Sequence, residues 1–320
     1  MTLHLLIVSL QLQNFALETL RNWLDPCPPP RGFIATGTGV CAVLWCCAMA
    51  PCAQLVIGPA GSGKSTYCYN IYNHCQTIGR TVHIINLDPA ADEFAYPVAA
   101  DIRELISLAD VMEEMNLGPN GALLYCMEYL EDSLDDWLAG ALEGFGEDDC
   151  ILFDCPGQIE LYSHHSAFRT FVDQMQQWGW RLVAVYMLDS QFITDAAKLI
   201  AGCMQCQAAM MNLELPHVNV FSKVDLLEDK SQLEPYLIPD HQTLVGELHD
   251  RMRPKYKKLN TQIAQLLDDY SMVSFHPLDI SDEDSLAFIL YTVDSAVQYG
   301  EGTYFPFPNP TTVYRTSLTI

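Results

Sequence analysis

The sequence predicts an α/β domain in which a mainly parallel sheet is flanked by helices. Short apolar runs alternate with helical patterns along the chain, which is typical of α/β folds. A glycine-rich loop directly follows the first apolar run, and two later runs end in polar residues. Half of the 320 residues are hydrophobic, enough for a substantial core. The predicted strands lie near residues 53–58, 81–87, 150–154, 181–188, 217–222 and 272–276.

The first strand, at residues 55–57, leads into GPAGSGKST, which fits the phosphate-binding P-loop pattern G-x-x-x-x-G-K-[ST]. Glycines let backbone N–H groups converge on phosphate oxygens, and the start of the following helix adds positive potential. Lys64 is expected to reach the β- and γ-phosphates and to assist catalysis, and Ser65 is expected to bind Mg²⁺. The predicted nucleotide contacts are Gly58, Pro59, Ala60, Gly61, Ser62, Gly63, Lys64, Ser65 and Thr66.

A later strand ends in an acid, as a site of this kind requires. Asp154 follows the apolar run 150–153 and begins a D-x-x-G-Q pattern with Gly157 and Gln158. Asp154 is expected to hold Mg²⁺ through water, and the Gly157 N–H to follow the γ-phosphate. Gln158 resembles the glutamine that orients the attacking water in many GTPases.

The tetrad Ser222-Lys223-Val224-Asp225 follows another strand and approximates the [N/T]-K-x-D pattern that reads guanine. The Asp225 carboxylate only accepts hydrogen bonds, which suits the imino and amino groups of guanine and not adenine. The stem of Lys223 is predicted to lie over the base. Ser222 occupies the position where Asn or Thr is usual. Pro277, after the last strand, is expected to flank the base.

The chain resembles the GPN-loop GTPases over about residues 53–300. The resemblance rests on motifs that occur in the same order, namely GPAGSGKST, NLDPAA, DIREL, LGPNG, DCPGQIEL and S-K-x-D. The stretches GPNGALLYCMEYL and DDYSMVSFHPLDISDEDS are most similar to the third eukaryotic branch of that family. The resemblance implies a P-loop NTPase fold with a helical insertion that carries the Gly-Pro-Asn loop. It also implies GTP or GDP with Mg²⁺ as ligands, and GTP hydrolysis.

The resemblance further implies a dimer, either of two copies or with another GPN-loop GTPase. The Gly-Pro-Asn loop of one subunit would reach the nucleotide site of the other, with Asn120 facing the γ-phosphate or the attacking water. Asp101 resembles a family carboxylate near that water, although a helix starting after it would need an N-cap anyway. Asp88 is expected near the metal. Family members serve assembly and nuclear import of RNA polymerase II, so the implied partners are polymerase subunits and the implied location is cytoplasmic with shuttling to the nucleus.

The chain is strongly acidic, with 16 lysines and arginines against 40 aspartates and glutamates and a formal net charge of -24. Such a surface repels nucleic-acid phosphates, so direct nucleic-acid binding is not expected. The acidity either aids solubility or suits a protein partner with a basic patch.

The 12 cysteines lack the regular spacing of a disulfide framework and are predicted to be small buried residues in a reducing compartment. Cys203 and Cys206 form a C-x-x-C pair, with no second pair or histidine nearby at zinc-binding spacing. We therefore expect this pair to pack in the core.

The two ends of the chain differ from its middle. Residues 1–48 carry no motif and are expected to be an extension foreign to the family, either disordered or an artefact of the gene model, with Met49 as the functional start. An apolar stretch interrupted by Pro51 is not expected to span a membrane. The GTPase domain is predicted to cover residues 49–302, and residues 303–320 are expected to form a loose tail.

Three further stretches have predicted roles. Residues 92–147 are long for one crossover and are expected to be an insertion built for contact. Residues 196–215 form a methionine-rich apolar helix, which is expected to pack in the core rather than to line a partner groove. Residues 251–260 form a basic cluster, which is expected to be a solvated helical face.

Two other functions stay open at this point. A kinase or an ATPase could use the same loop, although related deviant ATPases carry lysine where this chain has Pro59, and the few arginines disfavour a kinase lid. The other alternative is a scaffold that binds nucleotide with little turnover, which Gln158 and Asn120 do not exclude.

Overall fold

The computed structural model describes residues 50–146, 148–227, 230–237, 244–246, 248, 253–269 and 273–299. The predictions for residues 1–48 and 303–320 lie outside these ranges. Within them the chain forms a parallel sheet with apolar clusters on both faces, which confirms the predicted α/β class.

The strands are β1 (Cys52–Ile57), β2 (Val82–Asn86), β3 (Ala100–Asp101), β4 (Cys150–Asp154), β5 (Arg181–Asp189), β6 (His217–Ser222) and β7 (Phe275–Pro277). Their order in the sheet is β3-β2-β4-β1-β5-β6-β7, and each neighbouring pair is parallel. Because the carboxyl ends of parallel strands meet at one edge, the loops after β1, β2, β4 and β6 converge there. Each predicted strand is present, whereas β3 is too short to show a sequence pattern and was not predicted.

Helices cover the sheet. They are α1 (Lys64–Thr77), α2 (Leu108–Met115), α3 (Pro119–Asp132), α4 (Ala139–Leu142), α5 (Glu160–Ser163), α6 (Ala167–Gln177), α7 (Ala196–Leu213), α8 (Glu234–Leu237), α9 (Lys257–Asp269) and α10 (Glu283–Val297). A π-helical turn, Leu134–Leu138, joins α3 to α4.

Both faces of the sheet are buried. Leu55 and Ile57 of β1 belong to one apolar cluster, with side chains of α3, α6 and α7, whereas Val56 belongs to another, with side chains of α1 and α10. A strand covered on both faces carries apolar residues at successive positions, which explains the continuous apolar runs of the sequence. The polar exception, Gln54, accepts a hydrogen bond from the Tyr67 hydroxyl at 2.9 Å.

The helix expected directly after Asp101 is shorter than the sequence suggests. Asp101 accepts a hydrogen bond from the Arg103 N–H, so it does act as an N-cap, but of the 3₁₀ helix Ile102–Glu104 only. Ser107 then takes an extended conformation, and α2 begins after it. The helix that the sequence predicts after Asp101 is therefore interrupted between Glu104 and Leu108.

The Gly-Pro-Asn run is predicted as a loop, but the structure places it at the start of α3. Gly118 is the N-cap and Pro119 is the first helical residue. Proline suits this position, because its fixed φ is helical and its missing N–H would have no partner within the helix. Asn120 is therefore held on the first turn of a helix.

Helix α7 is the core element that the sequence predicts. Its Leu199, Cys203 and Cys206 are buried and both thiols are free, whereas Met204 and Met211 are exposed. Burial raises the pKa of Cys203 to about 12, which keeps this thiol protonated at neutral pH. Within the described ranges, no group of three or more histidine, cysteine or carboxylate side chains is arranged to hold a metal ion.

Two surface features bear on the remaining predictions. In the described part of the basic cluster, Arg253, Lys255, Lys257 and Lys258 are exposed, as expected of a solvated face. No helix in the described part of the chain combines the length and the apolar character needed to cross a membrane.

Candidate functional site

The loop after β1 requires glycine. Gly58 has a φ of 142°, and a Cβ there would lie 2.3 Å from the backbone oxygen of Met187. Gly63, directly before α1, has a φ of 87°. Side chains are strained in these conformations, so glycine is needed for the loop to leave the sheet and enter the helix. The N-terminus of α1 then favours an anion beside the loop.

The side chain of Lys64 lies across this loop. Its Nζ donates to the backbone oxygens of Gly58 at 3.2 Å and Pro59 at 3.1 Å. Burial lowers the pKa of Lys64, and the charges of Asp154 and Asp88 oppose that shift. The ammonium group is thus held at the loop by weak neutral acceptors, which a phosphate can replace.

Asp154 ends β4 beside β1 and β2, where its register partners are Val56 and Asn86. It is 3% exposed, and its Oδ2 accepts a hydrogen bond from the Tyr96 hydroxyl at 2.5 Å. Burial raises the pKa of Asp154, while hydrogen bonds from Tyr96 and Ser65 act in the opposite direction. The predicted metal residues Asp154 and Ser65 are therefore neighbours at the sheet edge.

Asn86, at the end of β2, joins the other two predicted acids. Its amide Nδ2 donates to Asp101 Oδ1 at 2.8 Å and to the backbone oxygen of Asp88 at 3.0 Å. Its Oδ1 accepts from the Asp88 N–H at 3.0 Å. Burial raises the pKa of Asp88, and the charge of Lys64 opposes this shift. Asn86 thus holds the Asp101 carboxylate and the backbone of Asp88, and of these two acids it is Asp88 whose charge acts on Lys64.

Arg103 completes this acidic corner. Its guanidinium group donates to Asp101 Oδ2, at 2.6 Å from Nη2, and to the backbone oxygens of Ala91 and Asp92. The same group lies 4.6 Å from the centroid of the Phe94 ring. Asp101 is consequently both an N-cap and an ion-pair partner.

The tetrad after β6 is tied to the phosphate-binding loop. Ser222 Oγ donates to the backbone oxygen of Ser62 at 2.6 Å and lies 3.2 Å from that of Leu188. Lys223 has a φ of 59°, and its Nζ donates to Asp189 Oδ2 at 2.6 Å. The serine that replaces the usual Asn or Thr therefore still makes the link between the two motifs.

Asp225 has a polar atom without a partner. Its Oδ1 is buried and makes no hydrogen bond to the described residues. Pro277 of β7 is the register partner of Phe221, and the Val224 N–H lies 3.3 Å from the Leu278 backbone oxygen, so β7 supports the tetrad. A buried unpaired carboxylate oxygen is costly, and a donor on a ligand would relieve that cost.

Comparison with known proteins agrees with this geometry. A family model described as a conserved hypothetical ATP binding protein matches residues 56–299. A curated relative from Mycosarcoma maydis, named GPN-loop GTPase 3, is 52% identical, over 78% of this chain and 92% of its own length. The chain belongs to the GPN-loop GTPase family. Relatives of the same name from Xenopus tropicalis and Danio rerio are 49% and 50% identical, cover 80% and 78% of this chain, and match over 91% and 88% of their lengths.

A solved structure shares the fold of this GPN-loop protein. It is a GTPase in apo form from Pyrococcus abyssi, with a TM-score of 0.64, and the match covers 78% of this chain and 98% of that one. At 21% identity, this likeness supports the P-loop fold alone.

Asn120 of the Gly-Pro-Asn motif contacts Gln158 of the same chain. The Gln158 Nε2 donates to Asn120 Oδ1 at 3.0 Å; the Asn120 side chain is exposed and that of Gln158 is half-buried. The structure thus brings together two residues that the sequence predicts as catalytic, within one subunit. The predicted reach of Asn120 into a second subunit stays a prediction.

Gly157 in the GPN-loop chain has no room for a side chain. A Cβ there would lie 2.8 Å from Ala60 Cα and 3.1 Å from Ala60 N, both in the phosphate-binding loop. The two segments predicted to contact the phosphates therefore pack directly against each other, and the absence of a side chain at Gly157 allows it.

We expect Gly157→Ala to weaken guanine-nucleotide affinity by about tenfold, because the backbone of Ala60 must shift and overpacking typically costs about 1–3 kcal/mol. Fluorescence titration with a labelled GDP measures this effect. The matched control is Gly140→Ala, since nothing lies within 4 Å of a Cβ at Gly140. Equal affinity in Gly157→Ala and the wild type would contradict the packing argument.

Three residues of the GPN-loop site were missed by sequence reasoning. They are Asn86, Tyr96 and Arg103. Asn86 carried a usable signal, since it is the first residue of NLDPAA and directly follows an apolar strand. The hydroxyl of Tyr96 meets Asp154 across 58 residues of sequence, which no local pattern reveals.

Proposed function

We propose that this protein binds and hydrolyses GTP, as a dimer, with Mg²⁺ as the metal. The observation that carries the proposal is the Oδ1 of Asp225, in the tetrad bonded to the phosphate-binding loop: this oxygen is buried and has no hydrogen-bond partner among the described residues. The hydrogen bond between Ser222 and Ser62 joins the predicted base-binding tetrad to the phosphate-binding loop, so the two motifs are placed to bind the base and the phosphates of one nucleotide. The names of the curated relatives support the same activity.

The choice of guanine over adenine rests on the chemistry of Asp225. An ionised carboxylate only accepts hydrogen bonds, and guanine offers adjacent imino and amino donors to it. The description of the matching family model names ATP, whereas the relatives are named GTPases. Adenine would leave Asp225 Oδ1 unsatisfied, so the geometry favours the second of these ligands.

Hydrolysis requires charge stabilisation and an oriented water. Lys64 is placed to follow the β- and γ-phosphates once it leaves its two backbone acceptors. Gln158 and Asn120 present amide groups that can orient the attacking water and face the developing charge. Asp101 and Asp88, both bonded to Asn86, complete the polar wall of the site.

The residues present fit Mg²⁺. Ser65, Asp154 and Asp88 offer a hydroxyl and two carboxylates, which are the hard oxygen donors that this cation prefers. Asp154 would hold the ion through a bound water, since Mg²⁺ usually keeps several of its waters in nucleotide sites. When bound, the ion neutralises charge on the β- and γ-phosphate oxygens.

We expect Asp225→Asn to weaken GDP binding by about tenfold to a hundredfold, since a hydrogen bond to a charged group contributes about 1.5–3 kcal/mol. The same variant should bind xanthosine diphosphate more tightly, because the ring carbonyl of xanthine accepts a bond from the new amide. Calorimetry with GDP, ADP and xanthosine diphosphate measures both effects.

The control for this substitution is Asp282→Asn, the same chemical change at the N-cap of α10. Asparagine caps a helix about as well as aspartate, so this variant should bind GDP normally. Unchanged GDP affinity in Asp225→Asn, or equal binding of ADP and GDP by the wild type, would contradict the proposed guanine specificity.

The dimer is proposed on the family resemblance and on the surface around Asn120. Exposed apolar side chains lie before and along α3, namely Met115, Leu117, Leu124, Tyr125 and Tyr129. The partner is either a second copy or another GPN-loop GTPase. The family resemblance also supports RNA polymerase II subunits as clients, with the protein acting in the cytoplasm and shuttling to the nucleus.

A further inference from the structure

The segment between β2 and β3 reaches the predicted metal site through one side chain. Tyr96 is 5% exposed and belongs to none of the motifs identified in the sequence. Its hydroxyl donates to Asp154 Oδ2 at 2.5 Å. The hydroxyl therefore contacts the carboxylate that ends the strand next to the phosphate-binding loop.

Residues before and after Tyr96 in the sequence hold its ring in place. The Phe94 ring lies 5.3 Å away, centroid to centroid, and the Arg103 guanidinium group lies over the Phe94 ring. After Tyr96, the Ala99 N–H donates to the backbone oxygen of Ile84 in β2 at 2.8 Å. These contacts fix the ring, so the direction of its hydroxyl is set by packing and not by Asp154 alone.

A carboxylate with one oxygen held in this way presents its other oxygen in a fixed direction. Outer partners of metal-binding residues orient them, and their loss typically lowers metal affinity about 10- to 100-fold. Arg103 bonds to the backbone oxygens of Ala91 and Asp92 in this segment and to the Asp101 carboxylate. The Ala90 N–H of the same segment donates to Asp88 Oδ1 at 2.9 Å. The segment is therefore bonded to each of the acids around the predicted metal position.

We propose that Tyr96 is a positioning residue for Mg²⁺-dependent nucleotide binding, acting by orienting Asp154. This inference rests on the proposed function, since it requires a Mg²⁺–nucleotide complex. This role requires no contact of Tyr96 with the nucleotide or the metal. The residue couples the segment 89–99 to the occupancy of the site, because a change in Asp154 direction must move the hydroxyl bonded to it.

The test is Tyr96→Phe, which keeps the ring and removes only the hydroxyl. The affinity for a fluorescent GDP is measured in EDTA and then across a Mg²⁺ titration. We expect an affinity in EDTA within about twofold of wild type, and a Mg²⁺ concentration for half-maximal effect about 10- to 100-fold higher. A second substitution, Tyr96→Phe in an Asp154→Asn background, should add little, because both act through the same carboxylate.

The matched control is Tyr186→Phe. Tyr186 is 1% exposed, and its hydroxyl has no hydrogen-bond partner among the described residues. This variant therefore removes a buried tyrosine hydroxyl that orients nothing, and it should keep the wild-type Mg²⁺ dependence.

The outcomes distinguish a failure of the Tyr96 positioning role from a failure of the proposed function. If wild-type GDP affinity responds to Mg²⁺ and Tyr96→Phe responds identically, the positioning role is wrong while the proposed function survives. Equal weakening of GDP binding in EDTA and in Mg²⁺ would also overturn it, since that indicates a general loss of structure. If the wild type binds no GDP, or binds it without regard to Mg²⁺, the proposed function and the inference fail together.

A measurement on the wild type covers the case in which the variant does not fold. Hydrogen exchange of residues 94–99 in the GDP complex is compared with and without Mg²⁺. We expect slower exchange when Mg²⁺ is present, because the metal fixes Asp154 and, through Tyr96, this segment. Identical exchange rates would overturn the coupling.

Discussion

Lys64→Ala is expected to lower GTP affinity by about a hundredfold or more. A charge-assisted hydrogen bond contributes about 1.5–3 kcal/mol, and Lys64 is placed to reach two phosphates. The substitution should not unfold the protein, because the bonds lost are those of the ammonium group to the Gly58 and Pro59 oxygens. Calorimetry with GTP and Mg²⁺ measures the affinity, and thermal unfolding checks the fold.

The control for this experiment is Lys198→Ala. Lys198 is exposed on α7 and belongs to none of the nucleotide-binding motifs, so its loss changes the net charge equally. Tight GTP binding by a folded Lys64→Ala protein would leave the loop after β1 with only a structural role.

Asn120→Ala is expected to slow GTP hydrolysis by about a hundredfold or more, with a smaller effect on GTP affinity. An amide near the γ-phosphate matters most as charge develops, and one preorganised donor is typically worth about that factor. A donor used mainly in the transition state lowers the rate more than binding. Phosphate release measures the rate. Asn73→Ala, an exposed asparagine on α1, is the control and should hydrolyse GTP normally.

Asn120 could act on the nucleotide of its own subunit (in cis) or of the other subunit (in trans). In the structure it contacts Gln158 of its own chain at 3.0 Å, so both cases must be tested. A mixed dimer of an Asn120→Ala subunit and a Lys64→Ala subunit separates the two cases. Its intact nucleotide pocket belongs to the Asn120→Ala subunit, and the only Asn120 comes from the other. Action in trans predicts hydrolysis by this mixed dimer, and action in cis predicts none.

Dimer formation is checked by sedimentation in each sample. An inactive mixed dimer would place Asn120 in its own subunit, where the bond to Gln158 already holds it. Full activity of the Asn120→Ala protein would leave the Gly-Pro-Asn run as the start of a helix and nothing more. Nucleotide binding with negligible turnover by the wild type would instead favour the scaffold alternative.

The site residues differ in how far sequence could predict them. Lys64 and Asp154 belong to motifs whose local pattern, a strand followed by a loop or an acid, is written in consecutive residues. Ser222 departs from its motif, and only the structure shows that its hydroxyl still bonds to Ser62. The family resemblance, now confirmed, depended on the order of such motifs and not on their contacts.

The sequence by itself determined the parallel sheet, the phosphate-binding loop and the family, because each is encoded in short runs of apolar, glycine and acidic residues. The tertiary structure alone decided which side chains meet at the sheet edge. The strand order places β2 and β4 side by side, although 63 residues separate Asn86 from Cys150, and this brings Tyr96 to Asp154 and Gln158 to Asn120. These side-chain contacts depend on the path that the chain takes between β2 and β4, through residues 92–147. Periodicity reports only which face of an element is buried, and not which partner covers it.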